Sequence, residues 1–172
     1  LQLDYLLLSG SKKEVEEFLN EQATWYVKEK DGMRLNNLMD YNFRLAYLLY
    51  KKGFLDEALD QIAEFYNIGK LGVRPDLDLQ VSVIEITVHY ELGNRELAYY
   101  KQKALYQRSR GDMASMPAIN QYVACLSKLM RDNRKEPEIT ILQQCIANAP
   151  AETDRNLFVS PILMLSRLKE LF

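Results

Sequence analysis

The chain has 172 residues and a formal net charge of −2, so it has no global electrostatic attraction to nucleic acid or to anionic membranes. Charged residues make up 27% of it and hydrophobic residues 48%, which is ordinary for a soluble folded protein. No stretch of about 18 uncharged apolar residues occurs, and we therefore expect no insertion into a membrane.

The first eight residues are apolar but do not have the pattern of a signal peptide. They lack a basic flank and contain Asp4. The chain also starts without a methionine and in the middle of an apolar pattern, so we expect it to be a segment of a longer protein. The visible segment favours the cytoplasm, and any localisation signals would lie outside it.

Four short segments that recur along the chain are centred on a Gly or an Asn, at Gly10, Gly53, Gly93 and Asn133. These pivots are 43, 40 and 40 residues apart by subtraction. Each follows one helical apolar pattern and precedes another, and Gly or Asn accepts the left-handed backbone that often ends a helix. A Glu follows each pivot by three or four residues, where the helix dipole favours negative charge. The recurrence predicts a helical hairpin about every 40 residues.

The predicted repeats are residues 1–31, 33–70, 75–111 and 115–149, and a terminal helix follows at 154–172. Together they are expected to form a single domain. The second repeat has the clearest apolar stripes at helical spacing. These stripes comprise Leu38, Tyr41, Leu45, Leu48 and Leu49 before the pivot, and Leu55, Ala58, Leu59, Ile62 and Phe65 after it. Residues 81–88 also have the composition of a strand, but the flanking helical pattern and the lack of a second strand favour a helix.

The second repeat resembles the tetratricopeptide repeat. The residues that carry the resemblance are Leu45, Ala46, Leu49, Gly53 and Ala58, which have the spacing of that motif. The third repeat keeps Gly93 and Ala98 but has Glu85 and His89 where apolar residues are usual. In the fourth, Asn133 replaces the glycine, and the closing proline is absent from every repeat. The repeats are therefore degenerate and longer than the usual ones.

This resemblance implies an all-α fold, a right-handed superhelix (α-solenoid) of antiparallel helix pairs. The run from His89 to Asn94 is also similar to uncharacterised bacterial proteins of this class. Relatives of this architecture are scaffolds, adaptors, peptide sensors or outer-membrane assembly factors, so the resemblance implies binding and no activity. One helical hairpin cannot cover its own apolar face, and stacked hairpins form a concave groove lined by the first helix of each pair.

Counting back from the pivots predicts the residues that line this concave face. They are Arg44, Tyr47, Lys51, Thr87, Tyr90, Asn120, Ser127 and Arg131. Tyr and Arg together suit recognition of a partner, although solvated surface is the alternative for any one of them. We therefore expect a non-enzymatic protein-interaction or scaffold module that binds a protein or peptide there. The alternatives are a regulatory or structural domain packed on another domain of a longer protein and, less favoured, a helical enzyme with an unrecognised site.

Residues that could perform chemistry are scarce. His89 is the only histidine, so no cluster of histidines can bind a metal, and no Gly-rich phosphate loop or nucleophile elbow occurs. We expect no catalytic residues, no metal, no cofactor and no nucleic-acid binding. Glu85 and His89, four residues apart on one helix, are interpreted as a polar pair inside the stack. The alternative is a pH-sensitive element in which the carboxylate raises the pKa of His89.

Cys125 and Cys145 are the only cysteines, and each has the apolar neighbours of a buried residue. If they face each other across a hairpin turning at Asn133, their axial offset is about 6 Å. That offset is near the upper limit for a disulfide, and we therefore expect a reduced pair.

Two charged runs stand out along the chain. The second helix of the third repeat is basic, and that of the first repeat is acidic. Both are interpreted as solvated faces. A basic nucleic-acid or lipid patch, or head-to-tail association of chains, is the alternative.

Overall fold

Every regular element in the described part of the chain is helical. The computed structural model describes residues 2–69, 73–108, 117–130, 137–148 and 161–169. Its helices are α1 (Gln2–Leu8), α2 (Lys12–Glu29), α3 (Leu35–Lys52), α4 (Leu55–Ile68), α5 (Pro75–Glu91), α6 (Arg95–Arg108), α7 (Pro117–Leu129), α8 (Glu138–Ala147) and α9 (Pro161–Lys169), with a 3₁₀ turn at Lys30–Gly32. The stretch 81–88 lies within α5, so the helical interpretation of that stretch is confirmed.

Three helices begin with a proline, at Pro75, Pro117 and Pro161. Proline suits the first helical position because its fixed φ matches the helix and its missing N–H has no partner to lose there. The predicted terminal helix therefore begins at Pro161 in the structure, and its predicted start at 154 lies outside the described residues.

The chain divides into two units, Leu1–Val81 and Ser82–Phe172. The N-terminal unit contains α1 to α4 and the beginning of α5. The C-terminal unit contains the rest of α5 and α6 to α9. Both units are built around helical hairpins.

The hairpin of α3 and α4 forms the main contact of the N-terminal unit. Its predicted stripes are confirmed, because their central members are buried. The buried residues of these stripes are Leu45, Leu48, Leu49, Ala58, Ile62 and Phe65. Burial of each such aliphatic or aromatic side chain contributes about 1.5–3 kcal/mol relative to exposure, so this stripe is the main source of stability here.

The turn between α3 and α4 depends on Gly53, whose φ of 82° is left-handed. The N–H of Phe54 donates to the carbonyl oxygen of Leu49 at 2.9 Å, and that of Gly53 donates to Tyr50 at 3.1 Å, which satisfies the last carbonyls of α3. Gly93 closes α5 in the same way, with a φ of 81°. The two pivots forty residues apart therefore make the same turn, as their sequences predict.

The first pivot is different. Gly10 does not have a positive φ, so the prediction of a left-handed turn there is wrong. A Cβ at this position would lie 2.7–2.9 Å from atoms of Leu6, so glycine is required by close approach of the chain. The following helix starts with a capping box in which the N–H of Glu14 donates to Ser11 Oγ at 3.2 Å and the N–H of Ser11 donates to Glu14 Oε2 at 2.6 Å. The fourth pivot, Asn133, lies outside the described residues.

Aromatic residues join α2 to α3. The rings of Tyr26 and Tyr41 stack with their centroids 5.5 Å apart, and the ring centroid of Trp25 lies 5.7 Å from that of Tyr41. The amide of Asn42 donates to the Tyr26 hydroxyl at 3.1 Å. Burial raises the pKa of Tyr41 to about 12, because the phenolate would lose its hydration there.

In the C-terminal unit, α5 and α6 form an antiparallel pair. Lys101 Nζ lies 2.9 Å from Glu85 Oε1, and Arg108 donates to Ser82 Oγ at 2.9 Å. The carboxylate of Glu91, near the end of α5, is buried and accepts two hydrogen bonds from Arg167 on α9 at 3.0 Å. A buried carboxylate needs such a charged partner, so this pair fixes α9 against α5.

A disulfide joins Cys125 on α7 to Cys145 on α8, with their Cα atoms 6.1 Å apart. The two cysteines therefore do face each other across α7 and α8, the arrangement considered as a possibility from the sequence, whereas the expectation of a reduced pair is wrong. The prediction used the offset of the two residues along idealised parallel helix axes. The quantity that decides whether a disulfide forms is the Cα separation, and the observed value of 6.1 Å lies within the range that a disulfide spans.

Candidate partner-binding surface

The three predicted binding residues of α3 are used in contacts inside the N-terminal unit. Tyr47 is buried, and its ring stacks on that of Tyr50 with centroids 6.5 Å apart. Arg44 Nε pairs with the Asp40 carboxylate at 2.7 Å, one turn earlier on the same helix. Lys51 Nζ donates to the carbonyl oxygen of Leu7 at 3.0 Å and thereby ties α1 to α3. Burial lowers the pKa of Lys51, with a smaller contribution from its neighbour Lys52.

Two predicted residues of α5 are also buried. The Thr87 hydroxyl donates to the carbonyl oxygen of Val83 at 2.8 Å, and the Tyr122 hydroxyl, 2.6 Å away, is then the donor in their shared hydrogen bond. Tyr90 is buried too, with the guanidinium of Arg95 5.3 Å from the centre of its ring. These side chains connect α5 to α6 and α7 and present little surface to a partner.

Asn120 and Ser127, the predicted residues of α7, line an open groove between α6 and α7. We call it the α6–α7 groove; it encloses about 350 Å³. Its lining residues are Tyr99, Gln102, Lys103 and Tyr106 of α6, and Asn120, Val123, Ala124, Ser127 and Lys128 of α7. The last predicted residue, Arg131, lies outside the described residues. Of the eight predicted residues, the structure therefore brings Asn120 and Ser127 together in one groove.

Helical periodicity explains why these residues share a groove. On each helix the lining residues are spaced three, four and seven apart, so they form one stripe along two turns. On α6, Tyr99 and Tyr106 each directly follow a buried core residue, Ala98 and Leu105. One residue further along a helix is a rotation of about 100°. Tyr99 and Tyr106 therefore lie beside the buried stripe of Ala98 and Leu105, at the boundary between the buried and the exposed face of α6.

The groove combines an apolar floor with aromatic walls. Val123 and Gln102 are buried, whereas Tyr99 and Tyr106 remain 44% and 48% exposed. The facing residues of α7 include the short side chains of Ala124 and Ser127, which leave the space between the helices unfilled. The sequence analysis does not include Tyr99 and Tyr106 among the candidate residues. The signal that could have located them is their seven-residue spacing beside the stripe of Ala98 and Leu105.

Glu85, His89 and Lys101 form a polar cluster inside the α5–α6 hairpin. Burial lowers the pKa of His89; the neighbouring Glu85 acts in the opposite direction and Lys101 adds to the lowering. The alternative interpretation, in which Glu85 raises the pKa of His89, is therefore wrong, because the effect of burial outweighs that of the carboxylate. Nδ1 of His89 is buried and has no hydrogen-bond partner among the described residues. Both residues are thus polar parts of the hairpin, but among the described contacts Glu85 pairs with Lys101, and the predicted pairing of Glu85 with His89 is not found.

Within the described ranges, no three His, Cys, Asp or Glu side chains are grouped so that they could hold a metal ion. None of the helices described has the length and apolar character needed to cross a membrane. Comparison of the chain with known protein families, with curated proteins and with solved structures finds no match.

Proposed function

We propose that the protein is a protein-interaction module of tetratricopeptide-like helical hairpins, arranged as a solenoid, that binds a segment of a partner protein in the α6–α7 groove. The matched glycine turns forty residues apart and the antiparallel pairs on either side of them support the repeat architecture. The groove differs from the first-helix face that the sequence predicts, since it uses the second helix of one hairpin and the first helix of the next.

The observation that carries the proposal is the pair of half-exposed tyrosines on an open groove. Tyr99 and Tyr106 each have nearly half of their surface accessible, while a buried valine lies between the helices. A tyrosine offers a large apolar ring and a hydroxyl at low cost in conformational entropy, which is why tyrosine is enriched in binding surfaces. A partner segment that covers both rings would bury their apolar area, and each tyrosine hydroxyl could form a hydrogen bond with it.

The size of the groove limits what enters it. Seven residues of helix separate Tyr99 from Tyr106, a rise of about 10 Å. About two turns of a partner helix, or three residues of an extended strand, match that length. A volume of about 350 Å³ is at the lower end of binding pockets and suits a few side chains of a partner segment.

The test is selection of short peptides from a random phage-displayed library on the purified chain. Affinities of the enriched peptides are then measured by fluorescence anisotropy. We expect the double variant Tyr99→Ala/Tyr106→Ala to bind them about tenfold or more weakly, because each loses an aromatic contact. Tyr100→Ala is the matched control, since Tyr100 is 70% exposed on the same helix but does not line the groove.

Unchanged affinity of the double variant would contradict the proposal, and so would an equal loss in Tyr100→Ala. Failure to enrich any peptide above an unrelated control protein would also count against a binding function. Far-ultraviolet circular dichroism of both variants checks that the helices are intact, which we expect because all three tyrosines are exposed.

A further inference from the structure

Two lysines lie at the α6–α7 groove without a neutralising partner in the described part of the chain. Lys103 and Lys128 are exposed, and no described carboxylate forms an ion pair with either. Two other cations of the same unit are paired with carboxylates. Arg95 lies 2.8 Å from Glu138, and Lys101, two residues from Lys103, lies 2.9 Å from Glu85. Within the described residues, the positive charge of the groove is therefore not neutralised by an ion pair.

The remaining lining residues reinforce this character. None of the nine is acidic. The polar groups are the tyrosine hydroxyls, the Ser127 hydroxyl and the amides of Gln102 and Asn120, all of which can donate a hydrogen bond to a carboxylate. The rest of the lining, Val123 and Ala124, is apolar. A matching ligand thus needs carboxylates and an apolar side chain in one short segment.

We infer that the occupant of the α6–α7 groove is an acidic, amphipathic segment of a separate partner protein. Its apolar side chain contacts Val123 and Ala124 between the tyrosine rings, and its Asp or Glu side chains pair with Lys103 and Lys128. Charge complementarity selects this occupant over a neutral or basic segment. The inference rests on the proposed function, of which it specifies the partner.

The expected preference is modest, because both lysines are exposed to water. Exposed ion pairs contribute little individually, so two of them give a preference of about fivefold for an acidic segment over its neutral counterpart. The preference falls as salt is added, since the exposed charges are screened, whereas the apolar contact with the tyrosines persists.

The experiment repeats the peptide selection on three proteins: the wild-type chain, the charge-reversed variant Lys103→Glu/Lys128→Glu and the control Lys28→Glu/Lys169→Glu. The control changes the net charge by the same amount at two exposed lysines of α2 and α9, outside the groove. Lys101 is left unchanged because its substitution would break the Glu85 pair. The readout is the mean net charge of the enriched peptides. One enriched peptide is then synthesised with Glu, Gln or Lys at its charged positions, and its affinity for each protein is measured.

We expect acidic peptides from the wild-type chain and from the control, and neutral or basic peptides from the charge-reversed variant. The Glu peptide should bind the wild-type chain about fivefold more tightly than the Gln peptide. On the charge-reversed variant, the Lys peptide should bind more tightly than the Glu peptide. Peptides without a charge bias, or the same acidic bias on the charge-reversed variant, would overturn the inference.

The failures of the two proposals are distinguishable. If the Glu and Gln peptides bind equally and Tyr99→Ala/Tyr106→Ala still abolishes binding, the acidic partner is wrong and the groove remains the binding site. If the tyrosine variant binds as the wild type does, both are wrong. Concentration-dependent self-association in sedimentation, lost on charge reversal, would instead make a second copy of this chain the occupant and overturn the assignment of a separate partner.

Discussion

The hairpin of α3 and α4 and the helix α6 show how similar turns can lead to different surfaces. α3 and α5 both end at a glycine with a φ near 80°, and an acidic residue opens the helix that follows each. Yet α4 has none of its large apolar residues exposed, whereas α6 exposes four. The exposed residues of α6 are Leu97, Tyr99, Tyr100 and Tyr106. The turn therefore determines the hairpin, and the residues of the second helix determine whether its surface is used for packing or is left for a partner.

Charge separates the two regions as well. Residues 1–81 contain ten Lys and Arg against fourteen Asp and Glu, and residues 82–172 contain twelve against ten. The net charge of −2 thus hides an acidic half and a slightly basic half. The acidic run of α2 belongs to the first and the groove lysines to the second. Overall charge, on which the expectation of no general attraction to nucleic acid rests, gives no information about such a local contrast.

The largest effect should follow from removing the core of α4. Phe65 is buried, with its ring edge-on to Tyr66 at 5.7 Å, and Phe65→Ala leaves a cavity. We expect a loss of about 3–5 kcal/mol in the free energy of unfolding. Tyr106→Ala on α6 should cost less than about 1 kcal/mol, because its ring is half exposed. Urea unfolding followed by circular dichroism measures both free energies. Equal losses would show that the exposed surface of α6 is as important for stability as the core of α4.

The next effect concerns the disulfide, which only the C-terminal unit contains. Replacing it with Cys125→Ala/Cys145→Ala should lower the stability of that unit by about 3 kcal/mol, because the unfolded chain loses a closed loop of about twenty residues. The fluorescence of Trp25, the only tryptophan, reports on the N-terminal unit and should show little change. Circular dichroism reports on both units. The matched control is a reducing agent, which should destabilise the wild type and leave the variant unaffected; an equal shift in both would contradict this account.

A smaller loss of stability is expected from substitution of Gly93, which tests the left-handed turn that α3 and α5 share. A Cβ there would have no atom within 4 Å, so the cost of Gly93→Ala comes from the left-handed backbone. That cost is about 1–2 kcal/mol. Gly93→Asn should be milder, since asparagine tolerates this conformation better than alanine does. Thermal unfolding of the two variants measures the difference, and an alanine variant as stable as the wild type would disprove the role assigned to this glycine.

The smallest effect is the pH dependence contributed by His89, which faces Glu85 and Lys101. Because its pKa is lowered in the folded state, the unfolded chain binds the proton more readily below about pH 6.5. The contribution of neutral His89 to stability is therefore present above the unfolded pKa and is lost as the pH falls below it. We expect His89→Gln to lose less stability than the wild type between about pH 7.5 and pH 5.5. Urea midpoints at both pH values test this, and identical pH profiles would refute it.

Local turn chemistry and strong apolar stripes made the hairpins predictable. The sequence located the pivots Gly53 and Gly93 and the stripe that ends at Phe65. These features depend on local backbone conformation and on helical spacing, both of which can be read from neighbouring residues. Gly10 was misinterpreted because a glycine required by close contact with Leu6 looks the same in sequence as one required by its φ. The disulfide was missed because counting residues from Asn133 gives an offset along the helix axes and not the separation of the two Cα atoms, which is 6.1 Å in the structure.

The candidate site was harder to predict because it depends on which helices touch. Tyr47, Thr87 and Tyr90 have the composition of a binding surface, but all three are buried in the structure. Tyr99 and Tyr106 look like core residues, but the stripe on which they lie meets the short side chains of α7 and stays open. Spacing alone assigns residues to stripes, and only packing decides which stripe is covered.

Binding in the α6–α7 groove is tested most directly by a nuclear magnetic resonance titration of the isotope-labelled chain with an enriched acidic peptide. We expect shifts of backbone amide signals concentrated on α6 and α7, including Tyr99, Lys103, Asn120 and Ser127, with α3 and α4 unchanged. Shifts concentrated on Arg44, Lys51 and their neighbours in α3, with the α6–α7 groove unaffected, would contradict this expectation.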